Sequence, residues 1–294
     1  MELGIITDEV HTDFATACSS AAQWGLQLVE VRQVDGKNVV HLTDDEVERV
    51  ADILARHGLR VSGVASPVFK SPLDERQVAG TGDFSVAEAV TVEAQLALLE
   101  RACAIAKRLG TDLVRVFTFL RQPWTNEAVT EVIRHMGAAG QIAARSGLVL
   151  AVENEPACIV GTGEELGRFF ELLDANLDQR LRPHVAVLWD PGNALALGEE
   201  PPYPDGYSHV PVDRLAHVHL KDLGVGAAKF GTFVPIGQGR IDYPGQFGAL
   251  LRDGYTGSVV LEPHYAPAGV DSVTAAKTCV DAARRALAAA GVTA

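Results

Sequence analysis

Eight times along its 294 residues the chain repeats one arrangement: a short apolar run of strand character, then a longer amphipathic run of helical character. "ELGIIT" leads into "DFATACSSAAQWG", "LQLVEVR" into "TDDEVERVADILARHG", and "LRVSGVAS" into "SVAEAVTVEAQLALLERACAIAKRLG". "DLVRVFTF" leads into "TNEAVTEVIRHMGAAGQIAARSG", "LVLAVENE" into "GTGEELGRFFELLDA", and "HVAVLWD" into a shorter helical stretch after Pro191. "LAHVHLKD" then precedes "YPGQFGALLRDG", and "GSVVLEP" precedes "VTAAKTCVDAARRALAAAG". Strands separated by helices have room for crossover connections, so the pattern predicts a mostly parallel sheet with helices outside it. Gly58, Gly110, Gly147 and Gly254 fall where helical runs stop, as left-handed C-terminal caps would. Eight such pairs, with no Pro/Ser-rich linker or composition break, predict an α/β fold of one domain over residues 1–294, a single (β/α)8 barrel. A doubly wound dinucleotide-binding sheet lacks its main signal, since no GxGxxG follows the first strand. "IGQGR" at 236–240 has two glycines and reads as a loop turn.

Composition narrows the class of partner. A hydrophobic fraction of 47% against 21% charged residues belongs to a well-cored globular chain. No apolar run approaches the roughly 20 residues that span a bilayer, and "MELGIITDEV" lacks the basic and apolar regions of a secretory signal, so a cytoplasmic protein without membrane contact is expected. Cys18, Cys103, Cys158 and Cys279 lie far apart without CxxC spacing and read as reduced packing residues. A formal charge of −13 with no concentrated basic patch repels a phosphate backbone. The expectation is a small neutral or modestly charged substrate, a single phosphate group on it being within the capacity of local donors, and no nucleic acid; a homo-oligomer is compatible with the sequence.

In a barrel of this kind the active site lies at the C-terminal ends of the strands. The fifth strand here ends in Glu153, the sixth in Asp190, the seventh in His219 and Lys221, and the eighth in Glu262. Side chains alternate across a strand, so Val149, Ala151 and Glu153 share one face, as do Ala186, Leu188 and Asp190. His217, His219 and Lys221 share the inward face of the seventh strand, leaving Ala216, Val218 and Leu220 for the helices. Trp189 also falls on the helix side. One carboxylate at a strand end is commonly a helix cap or a solvated loop residue, but four neighbouring strands aiming Glu, Asp, His and Glu at one place is a different matter. Three buried carboxylates repel, and a divalent cation neutralises them. The donor set Glu153, Asp190, His219 and Glu262 suits Mn²⁺, Mg²⁺ or Co²⁺, with Zn²⁺ also compatible, and leaves coordination positions for substrate oxygens. Glu155 falls on the same side but higher, where the loop begins. His217 is expected below His219, deeper in the barrel, and is a candidate substrate contact together with Asn193 in "DPGN", whose residues are also turn formers. Lys70 and Arg115 are candidates for substrate anions, Arg115 because "LVRVF" is otherwise apolar.

The segments "VENEP", "LWDPGNA", "HVHLKD" and "VVLEPHY", with "GIITDEV" at the start and "ASPVFK" after the third strand, resemble the xylose isomerase-like TIM barrels, particularly the sugar phosphate isomerase/epimerase proteins. The likeness spans essentially the whole chain. It implies a metal on Glu153, Asp190, His219 and Glu262, and a sugar isomerase or epimerase in which Glu153 and Glu262 move a proton on and off carbon through a cis-enediolate. Two positions depart from the ketose epimerases: Asn193 stands where they carry His, and "KDLG" follows the seventh strand where they carry Arg. "HLKD" is also similar to the inosose dehydratase branch, in which a lysine assists loss of water, and this implies such a role for Lys221. A metal-containing barrel that needs a partner protein is a third reading, and the endonuclease branch, opposed by the acidic charge, comes last.

Overall fold

The computed structural model describes residues 1–74, 91–225 and 232–292. Its eight barrel strands are Glu2–Ile6 (β1), Leu28–Val31 (β2), Arg60–Val64 (β3), Leu113–Val116 (β4), Val149–Glu153 (β5), Val185–Trp189 (β6), Leu215–Leu220 (β7) and Ser258–Leu261 (β8). They close in sequence order, β8 pairing with β1, and every neighbouring pair is parallel. A helix follows each strand: Phe14–Gln23 (α1), Asp44–His57 (α2), Val92–Leu109 (α3), Asn126–Ser146 (α4), Gly163–Asn176 (α5), Pro191–Leu197 (α6), Tyr243–Arg252 (α7) and Ser272–Ala289 (α8). The chain is thus the (β/α)8 TIM barrel that the alternation predicts. The first residues of the third helical run, 85–90, lie outside the described residues. No helix among the described residues is long and apolar enough to cross a membrane.

Local chemistry sets the element ends. Thr43 and Thr162 form capping boxes with Glu46 and Glu165, and Thr91, Thr125 and Asp271 accept from backbone N–H groups of the first turns they precede. Gly58, Gly110, Gly147 and Gly254 have φ of 64°, 75°, 67° and 76°, a conformation open to glycine at little expense. "PIGQGR" is the expected turn, organised by the Asp222 carboxylate, which accepts from the N–H groups of Gly237 and Gly239 at 2.9 and 3.0 Å.

The barrel wall sorts side chains by polarity. Outward residues such as Val29, Val114, Leu150, Val187, Val218 and Leu220 are fully buried against the helices; each such side chain contributes roughly 1.5–3 kcal/mol. Trp189 is among them, its indole N–H donating to Gln246 of α7 at 3.2 Å. This apolar shell stabilises a barrel whose interior is not apolar throughout. Leu113, Ala151 and Leu188 form a small inner cluster, and the next inward residues on those strands are Arg115, Glu153 and Asp190. Gly63 faces Leu113, and a Cβ there would sit 2.7 Å from Leu113 Cδ2. One face assignment differs from expectation. Ala216 packs against the inner cluster, not the helices, because the β6–β7 register slips between Val187 and Leu188 and breaks strict alternation there. All four cysteines are free and buried.

Two antiparallel ribbons follow β2 and β7: Gln33–Val34 with Lys37–Asn38, and Asp222–Gly224 with Thr232–Val234. Two or three residues per strand leave too short a pattern for alternation to register.

Candidate metal centre

Glu153, Asp190, His219 and Glu262 each place a ligand atom within 4.8 Å of those of the other three. Their exposures are 1%, 0%, 0% and 5%. The strand ends that position them are braced by Asn154, whose side chain accepts from Asp190 N at 2.8 Å and donates to Asp190 O at 2.9 Å. "VENEP" therefore divides its work: Glu153 points inward, Asn154 clamps β5 to the end of β6, and Glu155 turns to the loop. There Glu155 meets Lys70 Nζ at 3.2 Å and accepts from Ala157 N at 3.1 Å.

Buried atoms left without hydrogen bonds collect at this point. Glu153 Oε2, Asp190 Oδ2 and His219 Nδ1 are buried and make none. Each carboxylate oxygen faces a cation, Arg115 Nη1 at 3.2 Å and Lys221 Nζ at 2.9 Å. His219 Nδ1 faces Glu153 Oε1 at 3.4 Å and Glu262 Oε2 at 3.7 Å. Orphaned buried polar atoms are uncommon, and three oxygen donors with one imidazole nitrogen are what a divalent cation takes. The donor set fits the metal.

The positive charge already present differs from expectation. Lys221 Nζ lies between Glu262 Oε2 at 2.6 Å and Asp190 Oδ2 at 2.9 Å, Arg115 holds Glu153, and Arg32 Nη1 donates to Glu262 Oε1 at 2.5 Å. Protein cations therefore offset the carboxylates that a metal alone was expected to neutralise. Arg32 and Glu9 were not singled out in the sequence. Arg32 also bonds Asp8 and Glu9, and Glu9 bonds His264 Nδ1 at 2.8 Å, so the Glu262 side carries an ionic chain to the rim. Gly192 makes room for Lys221: a Cβ there would lie 2.3 Å from Lys221 Cγ.

These neighbours set the protonation states. Burial pushes every carboxylate up. For Glu153 the charges of Arg115 and His219 outweigh it, and for Glu262 those of Lys221, His264 and Arg32 do, so both sit below the usual carboxylate range. For Asp190 burial wins despite Lys221, with Glu153 and Glu262 adding to it, and its pKa is raised. Burial disfavours a charged His219, but Glu30 and Glu153 push it up to about 10. Lys221 is held charged by Asp190 and Glu262 against the same burial.

Glu30, like Arg32 and Glu9, goes beyond the residues the sequence singled out. It is fully buried on β2, and its Oε2 lies 2.7 Å from His217 Nε2 and 3.0 Å from His219 Nε2. The signal was legible: "LQLVEVR" places an acid inside an apolar strand, on the face shared by Leu28 and Arg32.

The remaining candidates mostly hold other residues. His217 has no exposed surface, with Glu30 on one ring nitrogen and Ser258 Oγ on the other at 2.9 Å, so it is deep as expected but has no ring nitrogen left for a substrate. Asn193 spends its amide N–H groups on Glu153 Oε1 at 3.0 Å and Asn154 O at 2.9 Å. Arg115 donates to Ser66 O as well as pairing with Glu153, and its guanidinium lies 4.7 Å from the Phe117 ring centre. Lys70, paired with Glu155, has its Nζ 5.1 Å from the same ring centre. It follows Phe69, which with Phe119 adopts left-handed φ of 65° and 63°, the two rings stacked at 4.7 Å. Such backbone strain gathers at functional loops.

Among solved structures, the barrel is similar to a xylose isomerase domain protein from Alicyclobacillus acidocaldarius, with TM-score 0.72, 21% identity and 99% of each chain covered. It is also similar to a protein named IolI that has a bound zinc atom, with TM-score 0.77, 16% identity and 98% of each chain covered. A D-allulose 3-epimerase from Methylomonas gives TM-score 0.71, 18% identity and 98% of each chain. At these identities the likeness is one of fold. Curated relatives include an inosose dehydratase from Geobacillus kaustophilus, 28% identical over 170 residues, 53% of this chain and 52% of that protein. Another, from Clostridium tetani, is 25% identical over 159 residues, 49% of this chain and 50% of that protein. The chain thus aligns with about half the length of these relatives. A family model described as xylose isomerase-like TIM barrel matches residues 18–288, and the chain belongs to that family.

Proposed function

We propose that this chain, working as one domain, is a divalent-metal-dependent enzyme that moves a proton on the carbon next to the carbonyl of a polyhydroxy ketone, as an isomerase or epimerase of a ketose-like sugar or its phosphate. The observation that carries the reading is the convergence of Glu153, Asp190 and Glu262 on His219, whose Nδ1 makes no hydrogen bond. A bound Mn²⁺, Mg²⁺, Co²⁺ or Zn²⁺ held by Glu153, Asp190, His219 and Glu262 supplies Lewis-acid stabilisation of a developing oxyanion. Glu153 and Glu262, both favoured as carboxylates, are the base and its conjugate partner. Arg115 and Asn193 aim Glu153, while Arg32 and Lys221 aim Glu262.

One observation favours a second fate for the same enolate. Lys221 Nζ touches both Asp190 and Glu262, and in that place it can protonate a departing hydroxyl, which makes the enzyme a lyase that dehydrates a cyclic polyol ketone. The inosose dehydratase relatives point the same way. The test is to incubate the Mn²⁺-restored protein with ketoses and inososes in D2O. Deuterium at the carbon beside the carbonyl with no new ultraviolet absorption supports the isomerase; an enone band in the near ultraviolet supports the lyase. Turnover that survives complete chelation, or binding without turnover for the whole panel, counts against both.

A further inference from the structure

We infer that Glu30 is a positioning residue that engages the Nε2–H of His219 and so leaves Nδ1 as the nitrogen turned toward a metal ion. The inference rests on the metal-centre reading and goes beyond it by naming what selects the ligand atom. The argument is a proton inventory. Glu30 Oε2 faces His219 Nε2 at 3.0 Å and His217 Nε2 at 2.7 Å. An ionised carboxylate oxygen only accepts, so both imidazoles donate to it through Nε2; a protonated Glu30 could donate to one ring at most. His217 Nδ1 is then the acceptor for the Ser258 hydroxyl at 2.9 Å. The donors run from Ser258 to His217 to Glu30, and from His219 to Glu30. The only nitrogen of the pair without a hydrogen bond is His219 Nδ1, which faces the carboxylates of β5 and β8.

Glu30 on β2 and the histidines on β7 are separated by β1 and β8, so the carboxylate crosses the barrel interior to meet them. On β1, Gly4 carries no side chain, and a Cβ there would stand 3.2 Å from Val260 Cγ2. A second carboxylate that accepts the remote N–H of a metal-bound imidazole fixes ring orientation and tautomer, and losing it typically weakens metal binding about 10- to 100-fold.

Two measurements test the inference. In histidine ¹⁵N spectra of the Zn²⁺-loaded wild-type protein, His219 should show Nδ1 as the metal-shifted nitrogen and a slowly exchanging proton on Nε2. In Mn²⁺ titrations, Glu30→Gln should bind about 10- to 100-fold more weakly than wild type, Glu30→Asp should fall between them, and the metal-free variants should keep the wild-type circular dichroism. Nε2 as the metal-shifted nitrogen, or Mn²⁺ binding by Glu30→Gln indistinguishable from wild type, overturns the inference. Should Glu30→Gln fail to fold, the wild-type spectrum decides alone. His219→Ala distinguishes the two levels: if it binds Mn²⁺ as tightly as wild type, the metal-centre reading itself falls.

Discussion

Glu153 and Glu262 bring the same functional group to one space from strands three apart, but their surroundings differ. Glu153 is enclosed: Arg115 and Asn193 hold it, exposed to 4% and 5%. Glu262 is shared among Lys221, Arg32 and His264, and these lead outward, Arg32 exposed to 15% and His264 to 34%. A carboxylate insulated by fixed donors retains a proton it has taken, whereas one at the inner end of an ionic chain can exchange its proton with solvent. The difference assigns the two groups unequal parts in a two-base reaction. Glu153 is the one expected to return a substrate-derived proton, and Glu262 the one expected to deliver a solvent-derived proton.

The largest effect that can break this asymmetry comes from removing either charge. Glu153→Gln and Glu262→Gln should each lower turnover by about 10²–10⁴-fold. In D2O, Glu262→Gln should lose most of its deuterium incorporation while Glu153→Gln retains partial exchange. Equal loss of exchange in both variants would show the two sides to be interchangeable.

Lys221 sits on the Glu262 side and is next in size. Lys221→Met strands Asp190 and Glu262, and removing one partner of a buried ion pair costs about 3–5 kcal/mol. The metal-free variant should therefore melt well below wild type, and Mn²⁺ should raise its Tm more than it raises that of wild type, because the ion replaces the missing charge. In the lyase reading the variant also loses dehydration but keeps exchange. A melting temperature unchanged by the substitution would remove Lys221 from the balance of charge.

A third prediction concerns pH. His219 is raised from 6.5 to about 10 in the fold, so its charge contributes stability that is fully present below about pH 6.5 and is lost as pH rises through about 10. A metal on Nδ1 must displace that proton. Mn²⁺ affinity should then rise with pH, by at most about tenfold per unit between pH 6.5 and 9, with proton release on binding. Calorimetry in buffers of different ionisation enthalpy measures the release. No proton released at pH 7.5 would mean that His219 is not displaced from its charged state.

How much of this was legible in the sequence depends on how far each feature reaches along the chain. The barrel and the four converging residues followed from local alternation, since "LVLAVE" or "HVHLK" contains its own facing rule. What failed was long-range or non-alternating. Glu30 meets histidines 187 and 189 residues away, and no local pattern connects them. Ala216 was assigned to the wrong face because a register slip lies beside it. For Arg115, Asn193 and Lys221, residue type announces a polar site, while only the fold says which polar group meets which: Arg115 and Asn193 on Glu153, Lys221 on Asp190 and Glu262.

The smallest effect sharpens the comparison within "VENEP" itself. Glu155 lies two residues beyond Glu153, but the chain has left β5, and its Lys70 pair is more open, with side chains exposed to 17% and 8%. That is more solvent than reaches the Arg115–Glu153 pair, whose side chains are exposed to 5% and 1%, so losing the Lys70 pair costs less than losing that one. Glu155→Gln retains an oxygen for Ala157 N and removes only the charge facing Lys70. It should shift Tm slightly and leave turnover close to wild type, with any change appearing in KM if Lys70, freed from its partner, meets an anionic substrate. A loss of turnover comparable to that of Glu153→Gln would mean that the second glutamate of the motif, and not the buried first one, carries the proton, and the contrast between an insulated and a solvent-linked carboxylate would have to be redrawn around Glu155.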